Sequence, residues 1–595
     1  MGLTTFAIIL LVSTWILSHL RNLARNYGAA KALGLPLIIH PFDPDSVTFA
    51  LLSETLHTIL VRILPSSAYA YIEPSFIGWE FHNKGAIHQR LGSTFVIVTS
   101  GINRLVSSDP ALCSNFMTRR REFVHTDIST RVMGMHGPNI ITATEDAWSR
   151  QRRIVAPALN ERISSDVWDE SIEQAYSLAD VLMSSSSSNP AEDRSTDTVF
   201  GLRSIAINVL SRIAYGRGKE FTIWNPSYDP KADISYVDAI AICTDLLVAA
   251  VFIPAWILGL PIMPLSLQTL AAALQRLPDL AKDMLEQERE RISFSPVDET
   301  TTMMGNKKRH ETIMTTLLRL SDQAKEEDAS GQRKSSATNG VSGLGNKTYL
   351  TEPEIQGNLF VFTAAGFDTT ANTMAYAVTL LAAYPQWQSW IQAEIDSVVG
   401  FVARAPDGQS QLPEYGQTFP KLIRCMAIML ETLRLYPAVS LLLRKITVDQ
   451  TISLPGSPST EASLKAPFMV QVNVMGLHTN PEVWGPDALE FNPGRWLRQD
   501  PDTPGDHVLM TPPKGTFIPW SIGPRICPGQ KMAQVEFVSV MMMLFGRCSV
   551  EPIPKDGESL EQARKRILVL TEDSQPVLTL QMNRPRDIRL KWMRR

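Results

Sequence analysis

The chain has 595 residues, of which 44% are hydrophobic and 19% charged, and its formal net charge is −4. This is enough apolar material for a core, and a near-neutral balance gives no reason to expect nucleic acid as a partner. Five cysteines, an odd number without a CxxC pair, argue against a disulfide framework and a structural zinc site, and place the bulk of the protein in a reducing compartment.

Residues 3–20 contain no Asp, Glu, Lys or Arg. As a helix they would rise ~27 Å, close to the hydrocarbon thickness of a bilayer. A cleaved signal peptide is the rival reading, but Met1 to Thr5 lacks a positive region and no small-residue cleavage site follows. Arg21, Arg25 and Lys31 come next, so the positive-inside rule leaves the remainder in the cytosol. The expected division is a transmembrane anchor at 1–20, a linker at 21–45 stiffened by Pro36, Pro41 and Pro44, and a globular domain at 46–595.

Thr94 to Val98 and Arg104 to Val106 flank Ser100-Gly101 and read as a short β-hairpin. Most later segments have helical spacing, so the expected class is mainly α with a small β part. Trp148 and Arg152 stand four apart on a basic helix, which alone reads as a solvated face. Residues 184–195 and 322–347 are rich in loop-forming residues, and Asn346-Lys347-Thr348 is a glycosylation acceptor that a cytosolic orientation leaves unused. Residues 246–265 carry no charge, but Pro254, Gly259, Pro261 and Pro264 break a spanning helix, so an interfacial or pocket-forming segment is expected.

Thr351-Glu352-Pro353-Glu354 has the form of a capping box and opens a helix that runs toward Tyr384-Pro385. Between Glu354 and Glu394 the only Asp, Glu, Lys, Arg or His is Asp368, in Ala365-Gly366-Phe367-Asp368-Thr369-Thr370. A carboxylate in so apolar a helix is costly unless it is partnered or works in a cleft. Gly366 permits close approach to the backbone, Thr369 can bond back to a helix carbonyl, and an acid beside an alcohol can relay a proton. The plainer reading is a helix–helix hydrogen bond.

Glu431 and Arg434 fall at i and i+3 on one helical face, Arg495 follows in Phe491-Asn492-Pro493-Gly494-Arg495-Trp496, and Arg444 and His478 lie between them. Ile567 to Leu570 and Val577 to Met582 are expected to form a terminal hairpin, and the basic tail from Arg584 is expected to be solvated. Trp520-Ser521-Ile522-Gly523-Pro524-Arg525-Ile526-Cys527-Pro528-Gly529 sets one cysteine among glycines, prolines and an arginine, just before a helix. Such a turn presents sulfur while backbone N–H groups, a helix N-terminus and a cation stabilise a thiolate, so Cys527 reads as a metal ligand. The other four cysteines read as small core hydrophobes.

These four motifs, in this order, resemble those of the cytochromes P450, from the membrane anchor to the C-terminal hairpin. The resemblance implies a P450 fold behind a single N-terminal transmembrane helix, with haem b (iron protoporphyrin IX) on an axial thiolate from Cys527. It implies that Trp148, Arg152, Arg444 and Arg525 bind the haem, that Asp368 and Thr369 deliver protons during catalysis, and that Glu431, Arg434 and Arg495 form the scaffold behind the cysteine. The family usually has Phe where Trp520 stands, and Trp520 is expected near the sulfur. The implied function is a fungal monooxygenase of secondary metabolism that oxidises a lipophilic small molecule with O2 and NADPH-derived electrons. Its implied partners are NADPH–cytochrome P450 reductase and cytochrome b5, with Arg150, Arg153 and Lys531 facing the reductase, and its place is the endoplasmic reticulum membrane with a cytosolic catalytic domain. The rival functions are a P450-fold isomerase or dehydratase and a non-catalytic haem-binding sensor.

Overall fold

A computed structural model describes residues 3–40, 43–44, 46–184, 194–224, 228–293, 311–329, 349–400, 413–454, 461–503 and 505–595. Its contacts divide the chain into two interleaved units: Met1–Ser129, Arg434–Glu490 and Pro512–Ile526 form the first, and Thr130–Leu433, Phe491–Thr511 and Cys527–Arg595 the second.

The first unit starts with helix α1 (Leu3–Lys31). Among the described residues it is the one helix long and apolar enough to cross a membrane. It runs on past residue 20, through eleven residues expected to be linker, because no proline interrupts the chain before Pro36 and Ala, Leu and Arg favour helix. Its last turns belong to the globule. Asn26 is buried, its Nδ2 donates to the carbonyls of Thr99 (2.9 Å) and Gly101 (2.7 Å), and Asn103 Nδ2 donates to the Asn26 carbonyl at 2.7 Å.

Those partners form the turn of the expected hairpin. With β1 (Leu37–Ile39), β2 (Thr94–Val98), β3 (Arg104–Ser107), β4 (Leu441–Ile446) and β5 (Phe468–Asn473), the sheet has the order β1-β2-β3-β5-β4. β1 runs parallel to β2 and β3 parallel to β5, while the β2–β3 and β4–β5 pairs are antiparallel. Every residue of β2, β3 and β5 is buried, which suits their β-branched and aromatic content. Val96, Val98, Phe116, Phe123, Val470 and Ile518 share one core, with Ile522 of the cysteine loop packed on it.

The second unit is mainly helical. The helices that matter for function are α2 (Glu145–Val155), α3 (Thr198–Tyr215), α4 (Tyr236–Asp245), α5 (Glu352–Ala383), α6 (Ile423–Leu435), whose last two residues fall in the first unit, α7 (Gln530–Arg547) and α8 (Leu560–Glu572). α5 is apolar all round and packs against α3, α4, α7 and α8, as a helix without a polar face must. It starts with the expected capping box: the backbone N–H and hydroxyl of Thr351 both donate to Glu354, at 2.8 and 3.0 Å.

Residues 246–265 do not form a span. The prolines split them into Leu247–Phe252 and Ala255–Leu258, and Trp256 and Ile262 are left 69% and 85% exposed. The expected loop from 322 begins later, because Asp322 to Ala329 continue a helix (Ile313–Ala329) rich in good helix formers. The rest of that loop, the acceptor at Asn346 and most of the serine-rich stretch lie outside the described residues.

The C-terminal expectations need correction. Ile567 to Leu570 belong to α8, where a capping box of Ser559 and Gln562 starts a helix and Ala563, Ile567 and Leu570 bury one face. The hairpin is made instead by Ser574–Pro576 and Leu580–Met582. The tail is not simply solvated: Leu590–Arg594 pairs antiparallel with Cys548–Pro552, and Trp592 is buried with its Nε1 donating to Thr198 Oγ1 at 3.0 Å. Leu590 and Trp592 alternate with charged residues and so supply one apolar strand face.

Candidate active site

Cys527 stands three residues before α7. Cys113, Cys243, Cys425 and Cys548 are buried, whereas Cys527 keeps accessible surface. Protein nevertheless crowds it on most sides, and that burial raises its thiol pKa. The backbone N–H groups of Gly529 and Gln530 and the charge of Arg152 work the other way. A metal ion on the sulfur would remove the proton outright, and these three groups are in place to stabilise the thiolate. In the preceding loop Gly523 has φ +76°, and a Cβ there would lie 3.0 Å from the Met117 carbonyl oxygen, so this turn requires glycine.

Trp148 is buried on α2, and Arg152 lies one turn further along, its proton affinity lowered by burial and raised by Cys527. α2 is tied to α5 by four side chains. Arg150 forms a two-point ion pair with Glu354 (2.6 and 2.9 Å), Gln151 Nε2 donates to Glu354 Oε1 (3.2 Å), and Asn358 Nδ2 donates to Gln151 Oε1 (2.9 Å). Arg150 is therefore engaged inside the unit. Lys531 lies 4.3 Å from the Phe419 ring centroid, and of the three cations expected to meet a reductase only Arg153 is exposed.

From Gly357 to Ala383, only Phe362, Ala365, Gly366, Thr369 and Asn372 retain accessible surface. Their spacing of i, i+3, i+4, i+7 and i+10 makes one open stripe along an otherwise buried helix. Thr369 lies in it, with its hydroxyl donating to the Ala365 carbonyl at 2.8 Å. Asp368 points elsewhere, as adjacent helical residues are ~100° apart. It is 2% exposed, accepts a hydrogen bond from Thr579 Oγ1 at 2.6 Å, and lies 4.0 Å from Arg203 Nη1. Burial raises its pKa, against the opposing effects of Arg203 and Thr579.

Glu431 is fully buried and accepts from Arg495 Nε (3.1 Å), Trp496 Nε1 (2.9 Å) and the Asn492 N–H (2.9 Å). In the first unit Arg434, also fully buried, donates to the carbonyls of His478 (3.0 Å), Ala488 and Glu490 (3.1 Å). His478 Nε2 accepts the Ile518 N–H at 2.9 Å, and Trp520 sits edge-on to Phe517 with centroids 6.5 Å apart. That unit also concentrates positive charge. Burial and Arg525 hold Arg444 down at about 10, burial and Arg120 hold Arg525 at about 10, and burial with both Arg444 and Arg525 presses His125 to about 2. Such a cluster favours an anionic guest.

The family model described as "Cytochrome P450" matches residues 79–578. The chain belongs to the cytochrome P450 family. It is similar to a phomenoic acid biosynthesis cluster cytochrome P450 monooxygenase of Leptosphaeria maculans, 29% identical with 90% of each chain covered. It is also similar to cytochrome P450 monooxygenase ORF6 of Penicillium roqueforti (27% identical; 90% and 89% covered) and to cytochrome P450 monooxygenase 124 of Postia placenta (28%; 80% of each). As a P450 it is a monooxygenase, and the family's haem-thiolate cofactor fits the donor set around Cys527.

Sequence motifs alone do not reveal how this P450 partners its buried carboxylate. Arg203, Asp245 and Thr579 belong to no motif, although Arg203 carries the same signal as Asp368: it is the only charged residue between Thr198 and Ser211 of α3. Glu354, Gln151 and Asn358 were missed as a network because polar residues on two separate helices show no shared period.

Proposed function

We propose that the chain hydroxylates or otherwise oxidises a lipophilic small molecule in fungal secondary metabolism, drawing electrons from NADPH through cytochrome P450 reductase, with cytochrome b5 as a second donor. The observation that carries this reading is the environment of Cys527: an accessible sulfur near the start of α7, faced by two N–H groups and the charge of Arg152. Haem b, bound through Cys527, would supply the redox chemistry that activates dioxygen for insertion into a substrate bond.

The chain's own residues then have separable tasks. Trp148, Arg152, Arg444 and Arg525 would hold the haem propionates; Arg444, whose proton affinity Arg525 lowers, and Arg525, lowered by Arg120, would each gain from a carboxylate placed beside them. Phe362, Ala365 and Gly366 leave an apolar surface beside Thr369 for substrate and dioxygen. Thr369 orients the proton that Asp368 supplies, and Asp368 recovers one from solvent. Glu431 and Arg495 hold the 492–496 turn, and Arg434 holds the carbonyls of 478, 488 and 490.

Residues 1–20 anchor the protein in the endoplasmic reticulum membrane as a single span, ahead of the linker and the catalytic domain, which lies on the cytosolic side. The apolar helix and the basic residues after it support this. The assignment to secondary metabolism is supported by relatives such as the Leptosphaeria maculans enzyme, whose name places it in a biosynthesis cluster.

The test is expression with a reductase. The full chain should show the red-shifted carbon monoxide band of thiolate-ligated haem, lost in Cys527→Ser, and NADPH-dependent oxygen uptake matched by an oxygenated product. Substrate rearrangement without NADPH use, or ligand-induced spectral shifts with no product, would overturn the reading.

A further inference from the structure

Asp368 does not meet Arg203 alone. The Arg203 guanidinium lies between two rings, 4.7 Å from the Trp224 centroid and 5.3 Å from that of Phe367. Its Nη2 bonds directly to Asp245 Oδ1 at the end of α4, while its Nη1 stands 4.0 Å from Asp368 Oδ1. Its Nε is buried without a hydrogen-bond partner among the described residues, so stacking on the rings and the bond to Asp245, not a full set of bonds, fix its place. Asp368 Oδ2 accepts from Thr579, whose hydroxyl in turn accepts from Asn372 Nδ2 at 3.0 Å.

The groups around Asp368 come from each packed element. α3 contributes Arg203, α4 contributes Asp245, and Tyr228, before α4, feels both of them; the C-terminal loop contributes only the uncharged Thr579. Glu572 of α8 acts on Tyr376, two turns further along α5. Two carboxylates thus share one guanidinium in a buried place, and one negative charge is in excess. Burial raises the proton affinity of both, and Asp368 raises that of Asp245 further.

We infer that Asp245 and Arg203 are positioning residues for Asp368: Asp245 keeps the guanidinium on itself, one contact short of Asp368, so that Asp368 can gain and lose a proton instead of being locked in an ion pair. When Asp368 gives up its proton, the O–H bond breaks and the carboxylate left behind faces Arg203; a proton from solvent restores the acid. This rests on reading Asp368 as the proton-delivering group.

Two substitutions should act in opposite directions, which a merely structural role would not produce. Asp245→Asn frees the guanidinium to pair with Asp368 and should shift its titration acid-ward. Arg203→Gln removes the cation and should shift it alkaline-ward, each by about one pH unit or more. The measurement is infrared difference titration of the protonated carboxyl band in the full-length holoenzyme, with the band assigned by its loss in Asp368→Asn. Asp245→Ser replaces Asp245→Asn if the latter does not fold, and Arg203→Lys, which keeps the charge, should move the midpoint back toward wild type. Shifts in the same direction, no shift, or no rescue by lysine would overturn the inference. Peroxide and product are counted alongside. If Asp368→Asn stays fully coupled, the proton-delivery reading fails, while the opposed infrared shifts still decide the roles of Asp245 and Arg203.

Discussion

The hydroxyl of Thr579 donates to Asp368 at 2.6 Å and so joins the C-terminal loop to the middle of the central helix. The bond favours the ionised carboxylate, because a carboxylate can only accept. Asp368 has a raised pKa, so its ionised form weakens the fold, and stability falls as pH rises through its folded pKa. Thr579→Val should deepen that fall. We expect a loss about 1–2 kcal/mol larger above the folded pKa of Asp368 than below it, measured by thermal unfolding of both proteins across a pH series.

Thr369 separates from Asp368 by its accessibility. Its hydroxyl sits on the open stripe of α5 and, among the described residues, bonds only back to the Ala365 carbonyl. Thr369→Ala should leave the melting temperature nearly unchanged and divert electrons to hydrogen peroxide. Peroxide formed per NADPH oxidised is the readout, and unchanged coupling would remove Thr369 from proton delivery.

Glu431 gathers Arg495, Trp496 and the Asn492 N–H on one fully buried carboxylate. Glu431→Ala takes a buried carboxylate away from Arg495, the Trp496 indole N–H and the Asn492 N–H, at a cost of about 3–5 kcal/mol. We expect little or no haem to be retained, as read from the ratio of Soret to protein absorbance.

Glu536 on α7 is 2% exposed, and its Oε1 has no hydrogen-bond partner among the described residues. Burial pushes its pKa from 4.5 up to about 8. Between those values the folded chain holds a proton that the unfolded chain has released, so this group makes stability decline as pH rises. Glu536→Gln cannot ionise and should flatten the decline between pH 5 and pH 8. The wild-type protein should be the less stable of the two at pH 8, by roughly a few kcal/mol in denaturant unfolding.

Asn26 places a boundary inside α1. Deleting residues 1–22 should weaken membrane association and leave the fold intact. Deleting residues 1–33 removes Asn26, Ala30 and Leu33, and with them three hydrogen bonds and two core side chains. That truncation should lower the melting temperature markedly, and Asn26→Ala alone should cost about 1–3 kcal/mol.

Local chemistry made much of this legible. A capping box specifies its own first turn, an uncharged run specifies its own solvent, and prolines 254, 261 and 264 interrupt a helix wherever it lies. The helix of Asp368, the loop of Cys527 and the β2–β3 hairpin could therefore be read from neighbouring residues. Ile567 to Leu570 could not, since four consecutive apolar residues fit either period, and the cap at Ser559 together with packing of one face decided for helix. Leu590 and Trp592 lie in a basic tail whose strand exists only because Cys548–Pro552 offers an edge.

The sequence by itself determined the family, through residues that act on their immediate neighbours: the cysteine turn, the threonine on its helix, the lone acid in an apolar run. What the tertiary structure decided was which distant groups meet them. Asp368 announces a buried charge in need of a partner, but Arg203, Asp245 and Thr579 reach it from three separate segments, and Coulomb and hydrogen-bond energies depend on distance in space, not on separation along the chain.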